Sequence, residues 1–120
     1  MIVNFSNHPS NRWSTEQLEA AQAYGELKDY DFPMVNPEDD EKDVEELANR
    51  CVREILEFHP DAVLVQGEFT VCYSVIRKLK ERNIICLAAC SAREAVEEKK
   101  EDGSVRKESI FRFCRFREYR

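Results

Sequence analysis

The sequence predicts an α/β fold: a three-layer sandwich around a mainly parallel sheet, with a C-terminal antiparallel hairpin. Two continuous apolar runs, 62–65 and 84–89, have the length and composition of central strands that are covered on both faces. Between about 40 and 58, apolar side chains recur at the spacing of an amphipathic helix. Asp102-Gly103 is a two-residue signal for a tight hairpin turn. Short strands that alternate with helices in this way imply right-handed crossovers and parallel pairing.

The first half of the chain is predicted to alternate strand, helix and strand. Residues 1–5 form a short first strand, and a helix begins after Ser14. Ser14 is a good N-cap, and Gln17 three residues later completes a capping box. Residues 27–32 form the second strand, and Asn36-Pro37 marks either the start of the long helix or a turn before it.

The second half adds a third helix, a central strand and the hairpin. The inner side of the third helix is predicted from its apolar spacing, with Phe69, Cys72, Tyr73, Ile76 and Leu79 as the stripe. The arms of the hairpin are 93–100 and 104–117, although residues 92–100 also have helical features. The aromatic side chains of the last strand are expected more often in a core than on a nucleic-acid platform; they are Phe111, Phe113 and Phe116.

Length, charge and cysteine content restrict the class of protein. The 120 residues fit one domain, which we place at 1–120. A net charge of −6 argues against binding to duplex DNA. The five cysteines lack metal-ligand spacing and predict free, buried thiols in a reducing cytosol, without structural zinc. We expect a cytoplasmic protein with no membrane partner, because neither a signal peptide nor an apolar run of roughly 20 residues is visible.

Polar residues follow three of the predicted strands, where ligands bind in open parallel sheets. The candidate site therefore combines three segments with one aromatic residue. After the first strand come Ser6, Asn7, His8 and Ser10, with Trp13 beyond them. After the third strand come Gln66, Gly67, Glu68 and Thr70, and after the fourth come Ser91 and Arg93.

Several of these residues have both a structural and a functional interpretation. His8 is either a general acid or base or a loop residue that bonds its own backbone. Gly67 either permits close approach of a ligand to a helix N-terminus or forms a tight turn, with Glu68 or Thr70 as a helix cap. Arg93 either binds phosphate or is a solvated surface charge. Trp13 either stacks on a base or packs against the first helix as a hydrophobic staple.

Three stretches of the chain resemble small prokaryotic CRISPR-associated proteins. They are Asn4-Phe5-Ser6-Asn7-His8-Pro9-Ser10 with Trp13-Ser14, then Val65-Gln66-Gly67-Glu68-Phe69-Thr70, and finally Phe113-Cys114-Arg115-Phe116-Arg117-Glu118-Tyr119. The sequence is similar in these stretches to the CARF-like group and to its single-domain ring nucleases of type III systems. The resemblance implies a Rossmann-like fold and a homodimer that binds cyclic oligoadenylate, with cyclic tetra-adenylate as the expected ring.

The resemblance also implies a reaction that needs no metal or other cofactor. A ribose 2′-OH attacks the adjacent phosphate and leaves a 2′,3′-cyclic phosphate, which ends the antiviral signal. On this interpretation His8 and Arg93 are catalytic. The remaining candidates bind the ligand: Ser6, Asn7, Ser10, Trp13, Gln66, Gly67, Glu68, Thr70 and Ser91. The alternatives are a sensor or sequestering protein that does not cut the ring, and a small protein-interaction domain.

Overall fold

Strands and helices alternate along the chain until the final hairpin. A computed structural model describes residues 1–120. The elements are β1 (Ile2–Ser6), α1 (Thr15–Gln22), β2 (Leu27–Asp31), α2 (Glu41–Leu56), β3 (Ala62–Gln66), α3 (Phe69–Glu81), β4 (Ile85–Lys99) and β5 (Val105–Glu118), with one short 3-10 turn over Ser10–Arg12. No helix is both long and apolar enough to cross a membrane.

The five strands form one sheet in the order β2-β1-β3-β4-β5. The pairings of β1 with β2, of β1 with β3 and of β3 with β4 are parallel, and only β4 and β5 are antiparallel. The predicted fold class, a mainly parallel α/β sheet with a C-terminal antiparallel pair, is confirmed. The order is that of a doubly wound sheet, in which the chain turns in opposite directions after β1 and after β3.

Alternate side chains of the central strands pack into two separate cores, because successive residues of a strand point to opposite faces. On one face Val3, Val63 and Val65 pack with α2 and α3. On the other face Ile2 and Leu64 pack with α1 and with the end of β5. The sheet is therefore the middle of three layers, and α1 is the helix on its second face.

Side chains fix the starts of all three helices. Ser14 accepts a hydrogen bond from the backbone N–H of Gln17 at the start of α1. The predicted capping box is only half formed, because the Gln17 side chain does not bond back to Ser14 and lines a cavity instead. Asp40 and Asp43 form a reciprocal capping box at α2, so that Asn36-Pro37 lies in the turn before this helix. Glu68 caps α3 and accepts from two backbone N–H groups, those of Thr70 and Val71.

The predicted inner stripe of α3 is partly wrong. Phe69 and Tyr73 are 90% and 71% exposed, whereas Val71 and Val75 are fully buried. Two residues of a helix turn through about 200°, so each valine lies almost opposite the aromatic residue two positions before it. The β-branched pair faces the sheet, and the two aromatic rings are left on the outer side of the helix.

The two strands of the C-terminal hairpin extend well beyond the buried part of the sheet. The central strand β4 continues without interruption to Lys99, so the alternative of a helix over 92–100 is wrong. A register shift between Cys90 and Ser91 marks a bulge where the strand leaves the core. The turn is one residue longer than the predicted two-residue turn: Lys100 and Ser104 close a loop over 101–103. Gly103 has φ +83 in this loop, which a residue with a side chain adopts less readily.

The last strand is buried only at its far end. Phe116 is buried, Phe113 is half-buried and Phe111 is 72% exposed, so the expectation of core positions holds only in part. The thiols are free, as predicted, but not all are buried, since Cys114 is exposed on this edge strand.

Candidate functional site

The candidate site lies at the carboxyl ends of β1 and β3, where the two halves of the sheet diverge. The chain passes from β1 to α1 on one face and from β3 to α3 on the other. Such a switch point leaves a crevice between the two connections, and open α/β sheets bind their ligands there. Ser6 and Gln66 end these neighbouring strands and lie opposite each other in the strand register.

A network of hydrogen bonds fixes the loop after β1. The carbonyl oxygen of His8 accepts from the side-chain nitrogens of Asn4 and Trp13, at 2.8 and 3.0 Å. The hydroxyl of Ser6 donates to the Asn4 amide oxygen at 2.7 Å and accepts from the backbone N–H of His8. The Asn4 amide is itself buried, and burial makes such a satisfied network rigid.

Asp29 of β2 supports the same loop from the side. Its carboxylate accepts from the Asn4 amide at 2.9 Å and from the Ser10 hydroxyl at 2.9 Å. Ser10 is therefore held against Asp29, and the neighbouring Asn7 is exposed. The imidazole of His8 remains at the surface, on a backbone that these bonds hold in place.

Beside this loop lies a cavity of about 440 Å³, which we call the edge cavity. Its polar lining consists of Ser6, His8, Gln17, Gln66 and Ser91. Its apolar lining consists of Trp13, Leu64, Ala89 and Phe111. No Lys, Arg, Asp or Glu lines it, and its size falls within the usual range for small-molecule pockets. The edge cavity thus offers aromatic surface and neutral hydrogen-bonding groups.

Gln66 has a fixed orientation in this cavity. Its side-chain oxygen accepts from the backbone N–H of Ala89 at 2.8 Å. Because an amide nitrogen cannot accept that bond, the amide cannot be reversed without loss of the contact. The Gln66 amide N–H₂ group has no partner within the protein and is free to donate to a ligand.

The segment that follows Gln66 has structural roles. A Cβ atom on Gly67 would lie 2.5 Å from the ring of Phe32, so the glycine is needed for this packing. The Glu68 carboxylate accepts from the hydroxyl and the backbone N–H of Thr70. The N–H groups of Thr70 and Val71 are therefore not free for a phosphate, and a carboxylate already stands at this helix N-terminus.

The titration of Glu68 reflects this capping role. Desolvation by itself raises the pKa of the carboxyl. The hydrogen bonds from Thr70 and from the backbone of Val71 outweigh it and hold the pKa below its ordinary value. Glu68 is consequently an anion at neutral pH and stabilises α3 as a charged cap.

Arg93 lies on the hairpin, outside the edge cavity. Its guanidinium donates to the Ser109 hydroxyl across the strand pair, at 3.0 and 3.1 Å. A different arginine, Arg112, lines a neighbouring cleft, the hairpin cleft, which shares Gln17, Ser91 and Phe111 with the edge cavity. Arg112 pairs with Glu94 at 3.0 Å.

The structure therefore brings together five of the predicted site residues. Those that line the edge cavity are Ser6, His8, Trp13, Gln66 and Ser91. Those that lie outside its lining are Asn7, Ser10, Gly67, Glu68, Thr70 and Arg93. Gln17 and Phe111 are cavity residues that the sequence does not reveal, because their patterns predict a helix cap and a core residue. No group of three His, Cys, Asp or Glu side chains is arranged to hold a metal ion.

Comparison with known proteins gives a family assignment without a described activity. Residues 1–117 match the model of the Uncharacterized protein MJ1673 family. The chain belongs to this family. No curated protein and no solved structure matches the chain. The family match covers all the elements that form the edge cavity, together with nearly all of β5.

Proposed function

We propose that this protein binds a cyclic oligoadenylate, with cyclic tetra-adenylate as the first ligand to test, and that the edge cavity receives one adenosine of the ring. The observation that carries the proposal is the uncharged, aromatic and amide-bearing lining of a cavity at the switch point of the sheet. The resemblance of the loop after β1, and of the segment around Gln66, to CARF-like ring nucleases supports the choice of ligand.

The lining suits a flat, neutral heterocycle. Trp13 and Phe111 supply aromatic surface on which a base can stack, and stacking is tolerant of the exact position of the ring. The Gln66 amide N–H₂ group can donate to a ring nitrogen of adenine, because its oxygen is held by Ala89. Leu64 and Ala89 provide apolar contact beneath the base.

The phosphates of such a ligand would lie outside the edge cavity, where water and a cation can reach them. Arg112 lines the hairpin cleft, which adjoins the edge cavity and shares lining residues with it. Its present partner is the Glu94 carboxylate, so a phosphate would compete with that ion pair. In this proposal Arg112 takes the phosphate-binding role that the sequence suggested for Arg93.

Cleavage of the ring is a second candidate function, favoured by the position of His8 at the edge cavity. The imidazole would take the proton of a ribose 2′-OH as its oxygen forms a bond to the adjacent phosphorus. The bond from phosphorus to the 5′-oxygen breaks, and that oxygen takes up a proton. The products carry a 2′,3′-cyclic phosphate, and this step would switch off type III CRISPR signalling in antiviral defence. Binding has the stronger support, since His8 is the only acid–base group in the lining.

One experiment tests binding and cleavage together. The purified protein is titrated calorimetrically with cyclic tetra-adenylate in EDTA, and the same sample is then separated by chromatography. Saturable heat with an unchanged ring supports a sensor or sequestering protein, and di-adenylate ending in a cyclic phosphate supports a ring nuclease. Absence of both heat and product would overturn the proposed function. The proposal includes a cytoplasmic location, where an exposed thiol such as Cys114 stays reduced.

A further inference from the structure

The outer side of α3 carries an exposed ridge of aromatic and basic side chains. Phe69, Tyr73, Arg77 and Lys80 follow one another at helical spacing, and all four are exposed. Phe69 and Tyr73 are among the most exposed large apolar residues of the protein. Adjacent exposed aromatic rings with a charged surround are typical of protein–protein interfaces.

A groove runs along each side of this ridge, and the two grooves have opposite charge. The acidic groove has a volume of about 260 Å³ and lies beside the start of α2, where Asp39, Asp40 and Glu41 line it. The cationic groove has a volume of about 380 Å³ and is bounded by Lys80 and Arg120. Tyr73 and Arg77 line both grooves.

Several of these charges have no counter-ion in the protein. Lys80 forms no ion pair, and neither Asp39 nor Glu41 has a basic group within 4.0 Å. Arg120 reaches Glu118 only at 3.9 Å. By contrast, Arg77 is held by Glu45 and Glu81, so it contributes less free charge to the ridge.

We propose that a second copy of this chain docks on the ridge of α3 and forms a two-fold dimer. An isologous interface requires a surface that is complementary to itself. When the two-fold axis lies in the plane of the interface and runs along the ridge, the acidic groove of one copy faces the cationic groove of the other. Asp39, Glu41 and Lys80 then gain the counter-ions that they lack within one chain, and the Phe69 and Tyr73 rings are removed from water.

This interface lies on the α2 and α3 face of the sheet, whereas the edge cavity lies on the α1 face. The inference is independent of the proposed function. It also differs from a dimer in which one ring spans the two-fold axis, because the two edge cavities stay open on the outer faces. Each protomer would then bind its own ligand.

Charge reversal with mixing tests the interface. One variant carries Asp39→Lys and Glu41→Lys, and a second carries Lys80→Glu and Arg120→Glu. In each variant alone, like charges meet at both contacts, so sedimentation equilibrium at tens of micromolar should show monomers. In an equal mixture one contact pairs the reversed charges and the other retains the native pair, so the mixture should return to the dimer mass.

A third variant and a control guard against effects on folding. Phe69→Ser with Tyr73→Ser should weaken association by at least about tenfold while the circular dichroism spectrum is unchanged. Val105 is an exposed apolar residue on the hairpin, away from the ridge, and the control Val105→Ser should leave the dimer intact. A wild-type monomer at these concentrations, dimers that survive the reversals, or a mixture that stays monomeric would each overturn the proposal.

Discussion

The Gln66 side chain bridges two parallel strands: its amide oxygen accepts from the backbone N–H of Ala89 at 2.8 Å. The amide oxygen thus accepts the backbone N–H of Ala89 in β4, and the amide N–H₂ group faces the edge cavity. The geometry gives the cavity a hydrogen-bond donor at a fixed position without any net charge, which suits a base better than a phosphate.

Two substitutions at Gln66 separate its structural role from its binding role. Gln66→Glu keeps an oxygen that accepts from Ala89 but replaces the donor by a negative charge, so stability should be nearly unchanged and the affinity for the anionic cyclic tetra-adenylate should fall at least about tenfold. Gln66→Leu removes both ends and should also lower the free energy of unfolding by about 1 kcal/mol. Urea unfolding and calorimetric titration measure the two effects. Equal affinity of Gln66→Glu and wild type would show that the donor is not used.

Phe111 should matter for binding and not for folding. It is 72% exposed, so Phe111→Ala removes little packing, and the melting temperature should stay within a degree or two of wild type. Loss of a stacking surface should weaken ligand binding about tenfold. Val105→Ala on the same strand, away from the edge cavity, is the matched control and should bind normally.

Gly67 should matter for folding through Phe32. Gly67→Ala places a methyl group against the Phe32 ring and should cost about 1–3 kcal/mol of stability in urea unfolding. Phe32→Leu in the same chain makes room for the methyl group and should recover part of that loss. The recovery is incomplete because the leucine also loses the stacking of the Phe32 ring on Phe5. If the double variant is as unstable as the sum of the two single variants, the contact is not the cause.

The pH dependence of stability should report the Glu68 cap. The pKa of its carboxyl is lowered in the folded protein, so its contribution is present at neutral pH and is lost as the pH falls through that lowered value. Glu68→Gln should therefore destabilise the protein at pH 7, and the difference from wild type should shrink below about pH 4. Urea unfolding of both proteins at pH 7 and below about pH 4 gives the two differences in the free energy of unfolding. A difference that does not change with pH would contradict the charged cap.

Sequence patterns predicted the fold because its signals are local. The apolar runs of β3 and β4, the N-cap Ser14 and the turn at Asp102-Gly103 each lie within a few residues. The same local patterns predict where the strands end, and therefore that Ser6 and Gln66 lie next to each other at one edge of the sheet, as they do in the structure.

What the sequence did not reveal depends on contacts between distant segments. Phe111 reaches the edge cavity only because β5 returns along β4 past the bulge at Ser91. The need for Gly67 comes from the Phe32 ring, and Arg93 is engaged by Ser109 on the opposite arm. No spacing along the chain encodes these contacts, and the exposure of Tyr73 follows from which side of α3 the valines occupy.

Trp13 allows the most direct test, because it is the only tryptophan in the chain and it lines the edge cavity. Its fluorescence is followed while cyclic tetra-adenylate is added in EDTA, with the Phe111→Ala variant measured in parallel. We predict saturable quenching in the wild type and a titration displaced to higher concentration in the variant. An emission spectrum that does not change, together with no heat in calorimetry, would contradict ligand binding at this cavity.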